Sequence, residues 1–190
     1  MKPWPLEIAV PQGVYHLPGP GHFAVLVNEY VDDLEVVTDE VLAAAYRALD
    51  INSVGWVPED GGLLGNLPAW ENILLATQWH APAALTSLET RVREWCKELG
   101  YDGGALSVLF SRQPALLSEE DRLLMGWLRQ MMSRPQVVVM RADAIPRGRL
   151  SKTLLQLIEQ ELASSALLVV DERIPEGYQP LTLAPHGKPT

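Results

Sequence analysis

The chain has 190 residues and a net charge of −9, from 15 Lys and Arg against 24 Asp and Glu. That balance excludes nucleic acid and anionic lipid headgroups as partners, because binding a polyanion takes clustered cations to displace its counterions. A hydrophobic fraction of 47% and one cysteine, Cys96, indicate a globular protein without an internal disulfide, expected in a reducing, cytoplasmic compartment. "MKPWPLEIAVPQG" has no charged segment followed by an apolar one, and no run reaches the roughly 18 apolar residues of a membrane span, so direct membrane insertion is not expected.

In chain order, Leu6 to Val10 alternates weakly and stops at Pro11 and Gly13, and "HFAVLV" reads as a buried strand. A helix is expected from about Thr38 to Leu49, with Thr38 as its cap and acidic residues in its first turn. Between strand and helix lies an acidic turn carrying Glu29, Asp32, Asp33 and Glu35, followed by Asp39 and Glu40. "SVGWVPEDGG" is a short strand stopped by Pro58 and a glycine pair, and "LPAWENILLATQWH" has helical spacing. In "LTSLETRVREWCKELG" the residues Leu88, Val92, Trp95 and Leu99 form an amphipathic stripe that Gly100 ends.

"LSEEDRLLMGWLRQMMSRP" is a helix capped by Ser118, with an apolar stripe through Leu124, Trp127, Leu128 and Met131. "QVVVM" and "ALLVV" are β-branched runs of the kind covered on both faces, separated by an amphipathic helix from Ser151 to Ala163. Helix, strand, helix, strand implies parallel crossovers. The tail "GYQPLTLAPHGKPT" offers one short edge strand.

Taken in order, these segments resemble the ATP-binding subunits of ABC transporters. "VGWVPEDGGLLGNLPAWENILL" is similar to the family's Q-loop strand and the start of its helical subdomain, with Glu59 where the glutamine would stand. Leu117 and Ser118 match the start of the LSGGQ signature, Arg129 falls on the arginine of its helix, Pro135 precedes the Walker B strand, and "ALLVVDERI" corresponds to the switch-histidine strand. The resemblance implies a P-loop-NTPase-like α/β fold with a largely parallel sheet, in one domain over 1–190. Residues 1–65 and 135–190 would form the α/β lobe and 66–134 an inserted helical subdomain.

The nucleotide-contacting positions depart from the family. The strand-to-helix turn has no glycine and no lysine of a phosphate loop, and carboxylates against a triphosphate would repel it. The signature's two glycines and glutamine are Glu119, Glu120 and Asp121. The Walker B carboxylates are Arg141 and Ala142, and the switch histidine is Asp171. These departures imply an inactive ATPase homologue with no nucleotide or other cofactor, acting by binding protein. The partners implied are a membrane permease, an active ABC ATPase subunit or a second copy of the chain, with Glu59, Leu63, Leu64, Trp70 and Trp79 at the contact. "VPEDGGLLGNLPAWENIL" is similar to ATPases of bacterial MCE-type lipid-trafficking systems. The alternative is a soluble regulatory or scaffold protein that reuses the fold without a transporter.

Blander readings compete at each site. The acidic run is first a solvated turn and only then a divalent-metal site. "GRLSKT" at Gly148 to Thr153 lacks the glycine before Lys152 and reads as a helix start. His16, His22, His80 and His186 have no nucleophile motif beside them, Cys96 is expected to be buried and inert, and most tryptophans are core candidates.

Overall fold

A computed structural model describes residues 1–28, 32–78, 85–148 and 151–186. Two compact units emerge: residues 1–56, 135–142 and 163–190, and residues 57–134 and 143–162.

The first unit is α/β. Strands β1 (Leu6–Val10) and β2 (Gly13–Leu17) form an antiparallel hairpin, with Leu6 opposite Leu17 and Val10 opposite Gly13. β3 (Gly21–Leu26), β4 (Val54–Val57), β5 (Val137–Arg141) and β6 (Ala166–Asp171) join β7 (Gln179–Pro180) in a sheet of order β4-β5-β6-β3-β7. The expected parallel crossovers are present: β3 and β5 both run parallel to β6, Phe23 and Val139 each level with Leu168. Ser165 donates its hydroxyl to Pro135 O at 2.6 Å in a buried bond that ties the starts of β5 and β6.

Helix α1 (Leu34–Ala48) lays Val41, Ala44 and Ala45 on Val25, Val139 and Leu168 of the sheet and on the hairpin's Leu6, Ile8 and Val10, making one apolar core. It starts four residues earlier than the sequence suggests. The cap is Asp33, whose Oδ1 accepts from Glu35 N at 2.9 Å and Val36 N at 3.4 Å. Thr38 is instead buried inside the helix and donates to Leu34 O at 2.6 Å. The hairpin strand β2 was not expected from sequence, and the tail gives two short strands rather than one, since β8 (Leu183–Ala184) pairs with β2.

The second unit is helical: α2 (Ala69–Gln78), α3 (Leu85–Glu98), α4 (Gly103–Ser111), α5 (Glu119–Ser133) and α6 (Ser151–Glu161). α4 is absent from the sequence reading because it opens on two glycines; Asp102 caps it by accepting from Ala105 N at 2.7 Å. α5 is as expected: Leu124, Trp127, Leu128 and Met131 are buried and Trp127 Nε1 donates to Ala144 O at 2.9 Å. Its C-cap, Arg134, is left-handed at φ 48°, and Pro135 follows. Cys96 is fully buried, and burial, partly opposed by the Arg93 charge, pushes its thiol up to about 12, the inert state expected.

Glu161 at the end of α6 is the electrostatic hub of this unit. Its carboxylate accepts from Trp95 Nε1 at 3.1 Å, pairs with Arg134 and lies 3.8 Å from Arg91, whose guanidinium sits over the Trp95 ring. Burial raises its pKa, but the hydrogen bonds and charges of Arg134, Trp95 and Arg91 outweigh that, and the net shift is downward. A lowered carboxylate pKa contributes stability above the unfolded value, here 4.5, and loses it as pH falls through the folded value. Glu161→Gln is therefore expected to lower the thermal midpoint at pH 7, with the gap to wild type closing below about pH 4.5. A gap unchanged down to pH 3 would show that the ion pairs contribute nothing.

Candidate functional site

The positions singled out in the sequence fall into groups within each unit. In the α/β unit, the acidic turn leads from β3 into α1, with Glu29 outside the described residues. Val27 N donates to Asp171 O at 2.9 Å, and Asp32 N donates to Asn28 O at 2.9 Å. A helix N-terminus normally offers free N–H groups to an anion. At α1 these donors already face the Asp33 carboxylate, so the helix binds its own side chain. At the strand ends, Arg141 closes β5 and Asp171 closes β6, both half-buried. Asp171 accepts from Ala142 N and Arg173 N, each at 3.3 Å, so its carboxylate holds two loops that leave the sheet.

In the helical unit, the segment after β4 turns sharply at Asp60, Gly61 and Gly62. Gly61 and Gly62 are left-handed in succession, at φ 78° and 61°, which side-chain-bearing residues seldom adopt. Gly61 lies directly against α5: a Cβ on Gly61 would sit 2.1 Å from Arg122 O, and one on Gly126 would sit 2.8 Å from Gly61 O. Arg129, one turn along α5, donates to Gly62 O at 2.8 Å and to Gly61 O at 3.1 Å, a fork that clamps the turn to the helix. Asp60 Oδ1 accepts from Gly62 N at 2.9 Å and closes the turn from its other side. Glu59 is exposed just before it.

The N-terminus of α5 carries the positions that the sequence resemblance matched to the signature. Ser118 caps it: its Oγ accepts from Asp121 N at 3.1 Å and donates to Asp121 Oδ2 at 2.6 Å. Tyr101 donates its hydroxyl to the other oxygen of Asp121 at 3.1 Å, and Glu119 and Glu120 stand exposed beside it. Burial first, then the Asp121 carboxylate, hold the Tyr101 phenol well above its usual pKa, so it stays a donor. As at α1, a side chain of the chain's own meets a first-turn donor, here the Ser118 hydroxyl, and the acids of the first turn face the helix dipole.

Leu63 and Leu64 precede α2 in a loop that the fully buried Asn72 organises. Its Oδ1 accepts from Leu64 N at 2.7 Å, and its Nδ2 donates to Leu64 O at 3.1 Å and Leu67 O at 3.0 Å. Leu63 is half-buried, and Leu64 is held 51% exposed. Trp70 is half-buried against Phe110, ring centroids 5.4 Å apart, at the edge of a cleft of about 370 Å³ that Pro68, Glu71 and Arg93 also line. Trp79 lies outside the described residues. Among the described residues no group of three or more His, Cys, Asp or Glu could hold a metal ion.

Sequence reasoning placed Arg129 on α5 and read the glycine pair only as a stop. It missed the contact between them, and Gly126 and Asn72 altogether. The signal for Asn72 was available in principle, as a polar residue inside the apolar stripe of "WENILL".

The parallel sheet and the helical unit after β4 form an α/β fold that matches that of ATP-binding cassettes. No protein-family model matches the sequence, and no curated protein does. Among solved structures, the chain is similar to the ATP-binding cassette MJ0796 in a dimeric post-hydrolysis state bound to ADP and Pi, with a TM-score of 0.58 and 14% identity over 89% of this chain and 85% of that one. It is similar also to CbiO1 from Clostridium perfringens, part of the ABC transporter complex CbiONQ, with a TM-score of 0.55 and 11% identity over 88% of this chain and 76% of that one.

The Gly61–Gly126 contact gives a direct test of the turn. Gly126→Ala gains about 1 kcal/mol of helix propensity but drives a methyl into backbone that cannot rotate aside. A net loss of about 2 kcal/mol is expected in chemical denaturation, whereas Gly103→Ala, with nothing within 4 Å, should be neutral or stabilising. Equal midpoints for wild type and Gly126→Ala would show that the turn does not rest on α5.

Proposed function

We propose that this chain is a non-catalytic protein of the ATP-binding-cassette fold that works by binding other proteins, as a docking or regulatory subunit of an ABC-type transporter. Its partners are a membrane permease and an active ATPase subunit, and the system is one of the MCE lipid-trafficking type. The observation that carries this reading is the state of two helix N-termini. α1 and α5, which the resemblance would aim at phosphate, are capped by their own Asp33 and Ser118, the latter bonded to Asp121, and further acids stand in or beside each first turn. Negative charge at those places disfavours a nucleotide triphosphate, and an arginine at the end of β5 removes a magnesium ligand.

The docking half of the proposal rests on the loop and cleft before and beside α2. Asn72 spends its hydrogen bonds on the backbone around the exposed Leu64, and Trp70, half-buried against Phe110, lines a cleft, the combination of fixed aromatic and exposed aliphatic that anchors protein interfaces. No helix among the described residues is long and apolar enough to cross a membrane, so contact with one would run through the partner.

A ligand at a hundred times its Kd stabilises a protein by about 2.7 kcal/mol. Millimolar ATP with magnesium is expected to leave the thermal midpoint unchanged, and a rise of several degrees would refute the non-catalytic reading. Tagged protein drawn from detergent-solubilised membranes is expected to bring down a permease and a second ATPase, with recovery reduced at least tenfold by Trp70→Ala plus Leu64→Ser. If no membrane protein comes down with wild type, the chain is a soluble regulatory or scaffold protein that reuses the fold.

A further inference from the structure

The cleft of about 370 Å³ beside α2 lies where the start of α2, the middle of α3 and the end of α4 meet, lined by Trp70, Glu71, Glu89, Arg93 and Phe110. That volume is near the lower end for small-ligand sites, about 300–1,000 Å³, and gives room for one long side chain rather than for a helix. Two helix ends adjoin the cleft, and their fields offset. Ala69 N at the start of α2 donates to Arg112 O, just past the end of α4, at 2.9 Å, so a positive and a negative pole stand together. Side chains therefore set the charge. Arg93 gives its Nε and Nη2 to Glu89 Oε1, at 2.9 and 2.7 Å, and the two neutralise each other. Glu71 is exposed and forms no ion pair among the described residues, which leaves two carboxylates against one guanidinium.

The same helical unit shows what suits an indole beside a carboxylate. Elsewhere on α3, the Arg91 guanidinium sits 5.5 Å over the Trp95 ring and 3.8 Å from Glu161, to which Trp95 Nε1 also donates. In the cleft, Trp70, packed on Phe110, and Glu71 bring the same ring and acid, while Arg93, the arginine that lines it, is turned to Glu89. We propose that this cleft takes an arginine side chain of the docked protein, its guanidinium laid on Trp70 and paired with Glu71; the inference rests on the docking reading above. A guanidinium is planar, is more weakly hydrated than an ammonium, stacks on aromatic faces and offers paired N–H donors to one carboxylate, so arginine fits better than lysine. An apolar side chain would cover Glu71 without meeting its charge.

The test is titration of the full chain with Nα-acetyl-arginine methylamide, followed by amide NMR shifts, with the citrulline derivative as the uncharged analogue and the lysine derivative as the other cation. Saturable shifts confined to residues around 68–71, 89–93 and 107–111 are expected, with a millimolar dissociation constant as befits one side chain. Citrulline should bind about fivefold more weakly, the scale of one exposed ion pair, and lysine also more weakly than arginine. Glu71→Gln, a change at the surface, should weaken arginine about fivefold and bring it level with citrulline. Trp70→Leu, which stays apolar against Phe110, should weaken arginine several-fold. Equal binding of arginine and citrulline, equal binding of arginine and lysine, unchanged affinity in Glu71→Gln, or no saturable shift in this region would each overturn the proposal. The transporter reading is judged apart from it: a permease recovered from membranes while the arginine probe does not bind leaves docking standing and refutes this inference alone.

Discussion

The helical unit depends on one close approach, that of the Gly61 backbone to α5. Two glycines meeting without side chains bring a turn and a helix within van der Waals distance, and the Arg129 fork then occupies both carbonyls of the turn. Each part presupposes the others. The successive left-handed conformations of Gly61 and Gly62 point those carbonyls at Arg129, and the missing Cβ of Gly126 lets them come near enough to be reached. From this anchor the chain runs through the Asn72-ordered loop into α2, which packs along α5. The position of Leu64 and Trp70 therefore follows from a backbone contact several residues upstream.

A second constraint acts on helix ends. Every helix must satisfy its first N–H groups, and a protein that binds phosphate there leaves them for the ligand. Asp33 at α1 and Ser118 with Asp121 at α5 satisfy them internally. This choice has a folding benefit, since an N-cap contributes about 0.5–2 kcal/mol whether or not a ligand is present. It also has a functional consequence, because a carboxylate in the first turn reverses the sign of the local field that an incoming phosphate would meet.

Sequence periodicity revealed the elements whose burial is regular and failed where local chemistry and tertiary context disagree. α5, β5 and β6 were legible because an unbroken apolar stripe or a β-branched run has one economical reading. The start of α1 was not. Its first turn, Leu34 to Val37, is acidic and β-branched, poor helix-forming material, so the cap seemed to fall at Thr38; packing of Leu34 and Val37 against the core overrides that propensity. α4 was hidden by its opening glycines, and β2 by being only five residues between two turns. At the site, residue identities were legible and relationships were not. That the turn has no glycine and no lysine is visible in the letters, but that Asp33 meets the helix donors, or that the missing Cβ of Gly126 admits Gly61, requires the chain to be folded.

These features explain how the fold accommodates the side chains found at its strand ends and helix starts. Arg141 and Asp171 close strands whose cohesion lies upstream, in the buried valines and leucines of β5 and β6, and in the Ser165 to Pro135 bond at the opposite end of the sheet. Glu119 and Glu120 are exposed at the start of α5, remote in sequence from Gly126 and Arg129, which hold that helix to the turn. Replacing the side chains at strand ends and helix starts leaves the core packing untouched, while replacing either glycine of the contact would not. A fold whose stability is stored in backbone contacts and buried strands leaves the charge at its rims free to vary, and here the helix starts carry acids.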